Sequence, residues 1–240
     1  MEIKILHLYY DIMNLYGEYG NIKILEQHIK DQGFEVIVDK KSIGETKDFK
    51  QYDFIYMGCG TERNQEAILK DILAEKEELK SFIEDGKTVL LTGNSYEILG
   101  KSIDGKPALG FFGFETEHQE KRETPDVICT SDILENKVVG FINTMSVIKN
   151  NDKPLFKIEW NSECDKKDEP DGITYKNLLG THLIGPLLIR NPEILKMIIE
   201  KICKQKDENF KYKEIEYEDE QKGYELVLKE LQERVKLSTK

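Results

Sequence analysis

The chain has 240 residues, 39% of them hydrophobic and 34% charged, with a formal net charge of −11 at pH 7. That length holds one large α/β domain or two small ones around a sizeable core, and the composition is that of an ordinary globular protein rather than a disordered or membrane one. The acidic balance argues against nucleic acid as a partner, since phosphate binding needs a basic face, and no apolar run approaches the roughly 20 residues that span a bilayer.

The opening MEIKILHLYY alternates like a strand and lacks the basic region and cleavage site of a signal peptide, so a cytoplasmic location is expected. A strand is predicted over 3–8, and after the turn-rich YGEYGN the apolar spacing of Ile22, Leu25, His28 and Ile29 predicts a helix up to Gly33. Strands follow over 34–38 and 52–57. Ile68, Ile72, Leu79, Phe82 and Ile83 predict one long amphipathic helix over 64–84, ended by Gly86, and a further strand over 88–92. Strands alternating with helices imply βαβ units, hence an open, largely parallel sheet flanked by helices. Residues 103–160 change character: the runs 126–129, 138–143 and 155–159 are β-rich, without a good helix, and predict antiparallel strands extending or capping the sheet. The charged stretch 162–172 reads as a surface loop, Pro192 opens a helix, and a last amphipathic helix over about 220–237 carries Tyr224, Leu228, Leu231 and Val235 on one side. The expected division is a domain over 1–207 and a charged extension with its helix over 208–240.

In an open α/β sheet, ligands bind outside the carboxyl ends of the strands. Three loops fall there: Gly58-Cys59-Gly60-Thr61, Gly93-Asn94-Ser95 and His182-Leu183-Ile184-Gly185-Pro186. The stretch VLLTGNSYEILG has the strand, sharp turn and helix that lift a nucleophile above a sheet beside backbone N–H groups, yet Gly93 stands at the apex. Cys59, Cys129, Cys164 and Cys203 form no CxxC pair, and His7, His28 and His118 have no partner at ligand spacing, so neither a disulfide scaffold nor a metal or other cofactor is expected.

The segments LYYDIMNLYGEYGNIKILEQHIKDQG, MGCGTERNQEAIL, GNSYEILG, VVGFIN and YKNLLGTHLIGPLLIRNP occur in the order and spacing of the CobB/CobQ-type class I glutamine amidotransferases, which the chain resembles from Leu6 to Pro192. The resemblance implies a flavodoxin-like core, and it is strongest toward the branch that supplies ammonia for amidating lipid II in cell-wall peptidoglycan. Members of that branch hydrolyse glutamine and pass ammonia to a Mur-ligase-like (MurT) partner. Aligned on Tyr96, Leu99 and Gly100, the family's nucleophilic cysteine falls on Gly93, its two turn glycines on Asn94 and Ser95, and its glutamine on Glu97. Its general base falls on Ile184, with His182 at a tyrosine. Gly58, Gly60 and Asn94 fall at the substrate pocket, and Arg122 resembles an arginine that holds the substrate carboxylate. The expectation is therefore an amidotransferase-like subunit that lacks its own glutaminase activity. Two alternatives stay open: an active amidase or glutaminase using Cys59 or Ser95 with His182, and a non-catalytic module that binds glutamine or a related amino acid.

Overall fold

The computed structural model describes residues 1–163 and 169–238. Its centre is a six-stranded sheet in the order β13-β14-β4-β3-β1-β2, with β1 at Glu2–Leu8, β2 at Glu35–Lys41, β3 at Phe54–Met57, β4 at Thr88–Thr92, β13 at Ile173–Tyr175 and β14 at Leu178–Thr181. All neighbours are parallel except β13 with β14. Successive side chains of a strand point to opposite faces, and here both faces are apolar, as a doubly covered parallel sheet requires. Ile3, Ile5, Phe54, Tyr56 and Leu90 pack on one face with helix α1 (Tyr19–Asp31) and helix α5 (Pro192–Lys206). Leu6, Leu8, Ile55, Met57, Val89 and Leu91 pack on the other with α2 (Glu62–Ile72) and α3 (Lys76–Glu84).

The helix expected over 64–84 begins two residues earlier, where Thr61 accepts the Asn64 N–H as N-cap, and it is broken by a 3-10 turn at Leu73–Glu75. Asp71, just before the break, and Glu75, its last residue, both face the buried Lys47, with Nζ 2.5 and 3.9 Å from their carboxylates. Apolar periodicity carries no sign of such a buried ion pair.

The middle of the chain forms two further sheets. One joins β5 (Ser102–Ile103), β6 (Lys106–Pro107), β7 (Glu115–Glu123) and β10 (Thr144–Lys149) in the order β10-β7-β5-β6. The other has the order β12-β11-β8-β9-β15, with β8 at Asp126–Thr130, β9 at Val138–Ile142, β11 at Phe156–Asn161, β12 at Glu169–Asp171 and β15 at Leu183–Ile184. Its inner face (Val127, Cys129, Val138, Phe156) joins the core around α5 and the short α4 (Leu187–Arg190). Its outer face, Ile128 and Val139, is covered by Tyr224 and Leu231 of helix α6 (Glu218–Ser238), with Leu228 and Val235 packed alongside. The apolar stripe of the last helix is thus buried within its own chain.

The expected surface loop over 162–172 is corrected in part. Residues 164–168, Cys164 among them, lie outside the described residues, but Glu169–Asp171 is a strand paired with β11, and Asp171 is buried. A charged composition reads as solvated when the counter-charge comes from a distant segment, as it does here.

Candidate functional site

The strand register brings the three loops together. Met57 is paired with Leu91 across β3 and β4, and Thr92 with Thr181 across β4 and β14, so Gly58-Cys59, Gly93 and His182 leave three adjacent parallel strands at one level. Beneath them lies a carboxylate from outside the three loops. Glu18 is fully buried; its Oε1 accepts the Gly185 N–H at 2.8 Å, and its Oε2 accepts from Tyr56 Oη at 2.8 Å and from Thr92 Oγ1. One carboxylate therefore ties the residue before Gly93 to the residue after Ile184. Burial raises the Glu18 pKa, against the pull of these three donors. The signal was present in the YGEYGN turn, where an acidic residue sits among glycines and tyrosines.

The elbow itself is a 3-10 helix that begins at Gly93 and runs to Leu99, not a sharp turn followed by a separate helix, and every residue of it is buried. Gly93 has φ +63°, the left-handed region that glycine enters without steric cost. A Cβ built on it would lie 2.5 Å from both Cβ and Sγ of Cys59. The thiol of Cys59 thus fills the space into which a side chain at Gly93 would grow. Burial, assisted by the fields of Glu18, Glu97 and Glu62, pushes that thiol up to about 12, although the Asn94 N–H bonds to it. At neutral pH a thiol of that kind is thiolate in only about one part in 10⁵.

The backbone donors are used internally. The Asn94 N–H faces the Cys59 sulfur, and the Gly60 N–H donates to Asn94 Oδ1 at 3.1 Å. Gly58 and Gly60 are wedged against Met13, whose carbonyl oxygen would lie 2.5 Å from a Cβ at Gly58. Ser95 Oγ, fully buried, bonds to the carbonyls of Met57 and Thr92 at 3.1 and 2.8 Å.

His182 is buried and tied on both ring nitrogens: Nδ1 to Asp171 Oδ1 and Nε2 to Glu97 Oε1, each at 2.9 Å. Tyr96 Oη also approaches Nδ1, at 3.0 Å, and Gln65 Nε2 donates to the second oxygen of Glu97 at 2.7 Å. Burial opposes a charge on His182, but its bonds to Asp171 and Glu97 outweigh that and hold its pKa at about 9. Ile184, where the resemblance sets the expected base, is 1% exposed and paired with Phe141.

Beside the elbow, Leu15, Tyr16, Asn94, Arg122 and Ser146 line a cleft of about 90 Å³, against roughly 300–1,000 Å³ for an ordinary small-molecule site. Arg122 reaches it from β7, with Nη1 donating to Asn143 Oδ1 at 2.8 Å and Nη2 to the Glu62 carboxylate. Neither His182 nor Ile184 is among the residues lining this cleft.

Two buried histidines with opposite shifts set an expected pH profile. His7 in β1 has no hydrogen-bond partner at Nε2, and burial, with the field of Lys40, lowers its pKa to about 4. Its contribution to stability is full above the unfolded value near 6.5 and is lost as pH falls toward 4. That of His182 is full below 6.5 and is lost as pH rises through 9. Each amounts to about 3 kcal/mol, so their sum peaks near pH 6.5. Denaturant midpoints measured between pH 4 and 9 should show His7→Leu flattening the acid limb. An unchanged acid limb in that variant would remove His7 from the account.

Residues 4–192 match the family of CobB/CobQ-like glutamine amidotransferase domains. The subunit GatD of lipid II isoglutaminyl synthase (glutamine-hydrolyzing) from Staphylococcus aureus strain N315 is 34% identical over 232 residues, covering 95% of each chain. Such coverage leaves about 12 residues outside the match, which therefore runs into α6, beyond the span of the motifs read from the sequence. The subunit of the same name from Streptococcus pneumoniae strain R6 is 28% identical over 216 residues, covering 85% of this chain and 82% of its own. Among solved structures, a glutamine amidotransferase is similar at TM-score 0.55 and 15% identity over 83% of this chain and 98% of that one. A second, from Thermotoga maritima, is similar at TM-score 0.52 and 11% identity over 97% and 93%. At these identities the solved structures support the fold.

Proposed function

Because the chain belongs to the CobB/CobQ-like glutamine amidotransferase family, we propose that it serves as the amidotransferase-like subunit of a lipid II isoglutaminyl synthase complex, without hydrolysing glutamine itself. In this reading it works in the cytoplasm on peptidoglycan precursors, beside a Mur-ligase-like (MurT) subunit. The relatives' names, as subunits of one synthase, support the assembly. Among the described residues no helix is long and apolar enough to cross a membrane.

One observation carries the claim of inactivity: the elbow presents Gly93 where a nucleophile belongs, and the N–H groups beside it are bonded to Cys59 and Asn94. An acyl-transfer site needs an attacking atom and free donors aimed at the developing oxyanion. Loss of the nucleophile alone from a catalytic triad costs on the order of 10⁶ in kcat. The neighbouring substitutes are poorly placed for the work: Cys59 is protonated, Ser95 bonds to backbone carbonyls, and His182 is held between two carboxylates.

Purified protein is expected to release no ammonia from glutamine above a buffer control, with or without the Mur-ligase-like partner, while co-purifying with that partner. Glutamine turnover abolished by Cys59→Ala, or covalent labelling of Cys59 by a diazoketone analogue of glutamine, would establish the active-enzyme alternative instead.

A further inference from the structure

The groups facing the cleft are those that recognise the two ends of an amino acid amide. A guanidinium matches a carboxylate, and a backbone N–H beside a strand end matches a carbonyl oxygen. Both are already engaged by the chain: Arg122 Nη2 holds the Glu62 carboxylate, and the Gly60 N–H holds the Asn94 carboxamide oxygen at 3.1 Å. We propose that Glu62 and Asn94 act as an internal ligand that closes the cleft, and that a free amino acid enters only by displacing Glu62 from Arg122. This rests on the reading of a non-hydrolytic subunit and adds how its cleft is regulated.

The two internal groups differ in how readily they leave. Asn94 is 9% exposed and held at both ends: its side-chain oxygen accepts from Gly60, and its backbone oxygen accepts from Gln65 Nε2 at 2.7 Å. Glu62 sits in the first turn of α2, and its side chain, like that of Arg122, is 38% exposed. It can swing into water without breaking any other side-chain contact of the site. Arg122 would keep its bond to Asn143, at 2.8 Å, and so stay aimed at an incoming carboxylate. Arg122 helps to lower the Glu62 pKa, against burial, so the competing group is a carboxylate at neutral pH.

Room selects the ligand further. The cleft measures about 90 Å³ with Glu62 in place, and Cys59 and Asn94 are among the residues that line it. The class of ligand that fits is a small α-amino acid whose carboxylate meets Arg122 and whose side chain is short, with asparagine fitting better than glutamine.

The test is calorimetry on the full chain, with L-asparagine and L-glutamine as probes. Glu62→Ala is expected to bind L-asparagine up to about fivefold more tightly than the unaltered chain, the weight of a partly exposed ion pair, and Arg122→Ala in the same molecule should abolish the gain. Glu62→Gln, which keeps the shape and loses the charge, should fall between. Equal affinities in the unaltered chain and Glu62→Ala, including no binding in either, would overturn the proposal, as would a gain that survives Arg122→Ala. Glu62 lies at a helix end and Arg122 on strand β7, both 38% exposed, and a melting temperature close to that of the unaltered chain verifies that the variants fold. Ammonia release from glutamine would sink the non-hydrolytic reading whatever the calorimetry shows, and equal affinities without ammonia would sink only the internal ligand.

Discussion

His182→Leu is expected to destabilise the protein by about 3–5 kcal/mol at pH 7, the cost of removing one partner from a buried charged network. The imidazole lies between Asp171 and Glu97 at 2.9 Å on either side, and all three residues are buried. Leucine matches the ring roughly in volume but leaves two carboxylates facing each other across an apolar side chain. Asp171 keeps its bonds to Thr181 Oγ1, at 2.5 Å, and to the His182 backbone N–H, and Glu97 keeps Gln65, but neither retains a counter-charge. Glu97→Gln should be much milder, because an amide keeps a hydrogen-bonding partner for His182 while Asp171 remains to balance its charge. In that variant the imidazole pKa should fall from about 9, which a proton NMR titration reads directly. The cost of His182→Leu should also shrink as pH rises through 9, since the unaltered chain then loses the same charge. A loss under about 1 kcal/mol at pH 7 would mean that the network contributes no more than an exposed ion pair does.

This network marks the boundary of what the sequence makes legible. Strand alternation and helical spacing act over a few residues, so the parallel core and the three loops at its strand ends could be read from local pattern. The buried polar contacts could not. Asp171 reads as part of a charged loop because the histidine that needs it lies 11 residues further on and joins it only when β12 and β14 have formed. Glu18 reads as part of a turn because its partners, Thr92 and Gly185, are 74 and 167 residues away. The break in the helix expected over 64–84 belongs to the same class, since Lys47 reaches Asp71 and Glu75 from outside the helix. Burial of charge is a property of pairs, and a periodic pattern records single residues.

The site shows a second limit. The resemblance sets the expected nucleophile and base at Gly93 and Ile184, but a motif does not say which side chain fills the space beside Gly93. The structure places Cys59 there, with its sulfur beside the Asn94 N–H. Restoring the elbow by Gly93→Cys, with or without Ile184→His, therefore meets an obstacle that no alignment would reveal.

Gly93→Cys alone is expected to destabilise the fold by roughly 2–5 kcal/mol, from two separable causes. The first is backbone: φ of +63° is open to glycine and strained for cysteine, whatever its neighbours. The second is contact: the new Cβ would sit 2.5 Å from Cβ and Sγ of Cys59, closer than carbon and sulfur can approach without movement. The Cys59 loop cannot easily retreat, because Gly58 and Gly60 on either side of it already press against Met13. Adding Cys59→Gly in the same molecule removes the second cause and leaves the first; the nearest remaining neighbour is then the Cα at position 59, at 3.1 Å. The double variant should accordingly be more stable than the sum of the single changes by about 1–3 kcal/mol, the coupling expected of side chains that compete for one space. Denaturant unfolding of the unaltered chain, both singles and the double completes the cycle. Additive losses would show that the two positions do not share that space, and the account of Cys59 as the occupant of the space beside Gly93 would fail with them. A positive coupling would make Cys59→Gly the necessary companion of Gly93→Cys and Ile184→His in any attempt to build a cysteine nucleophile at this elbow, because only then does a thiol stand at the apex with the Asn94 N–H released from its present sulfur partner.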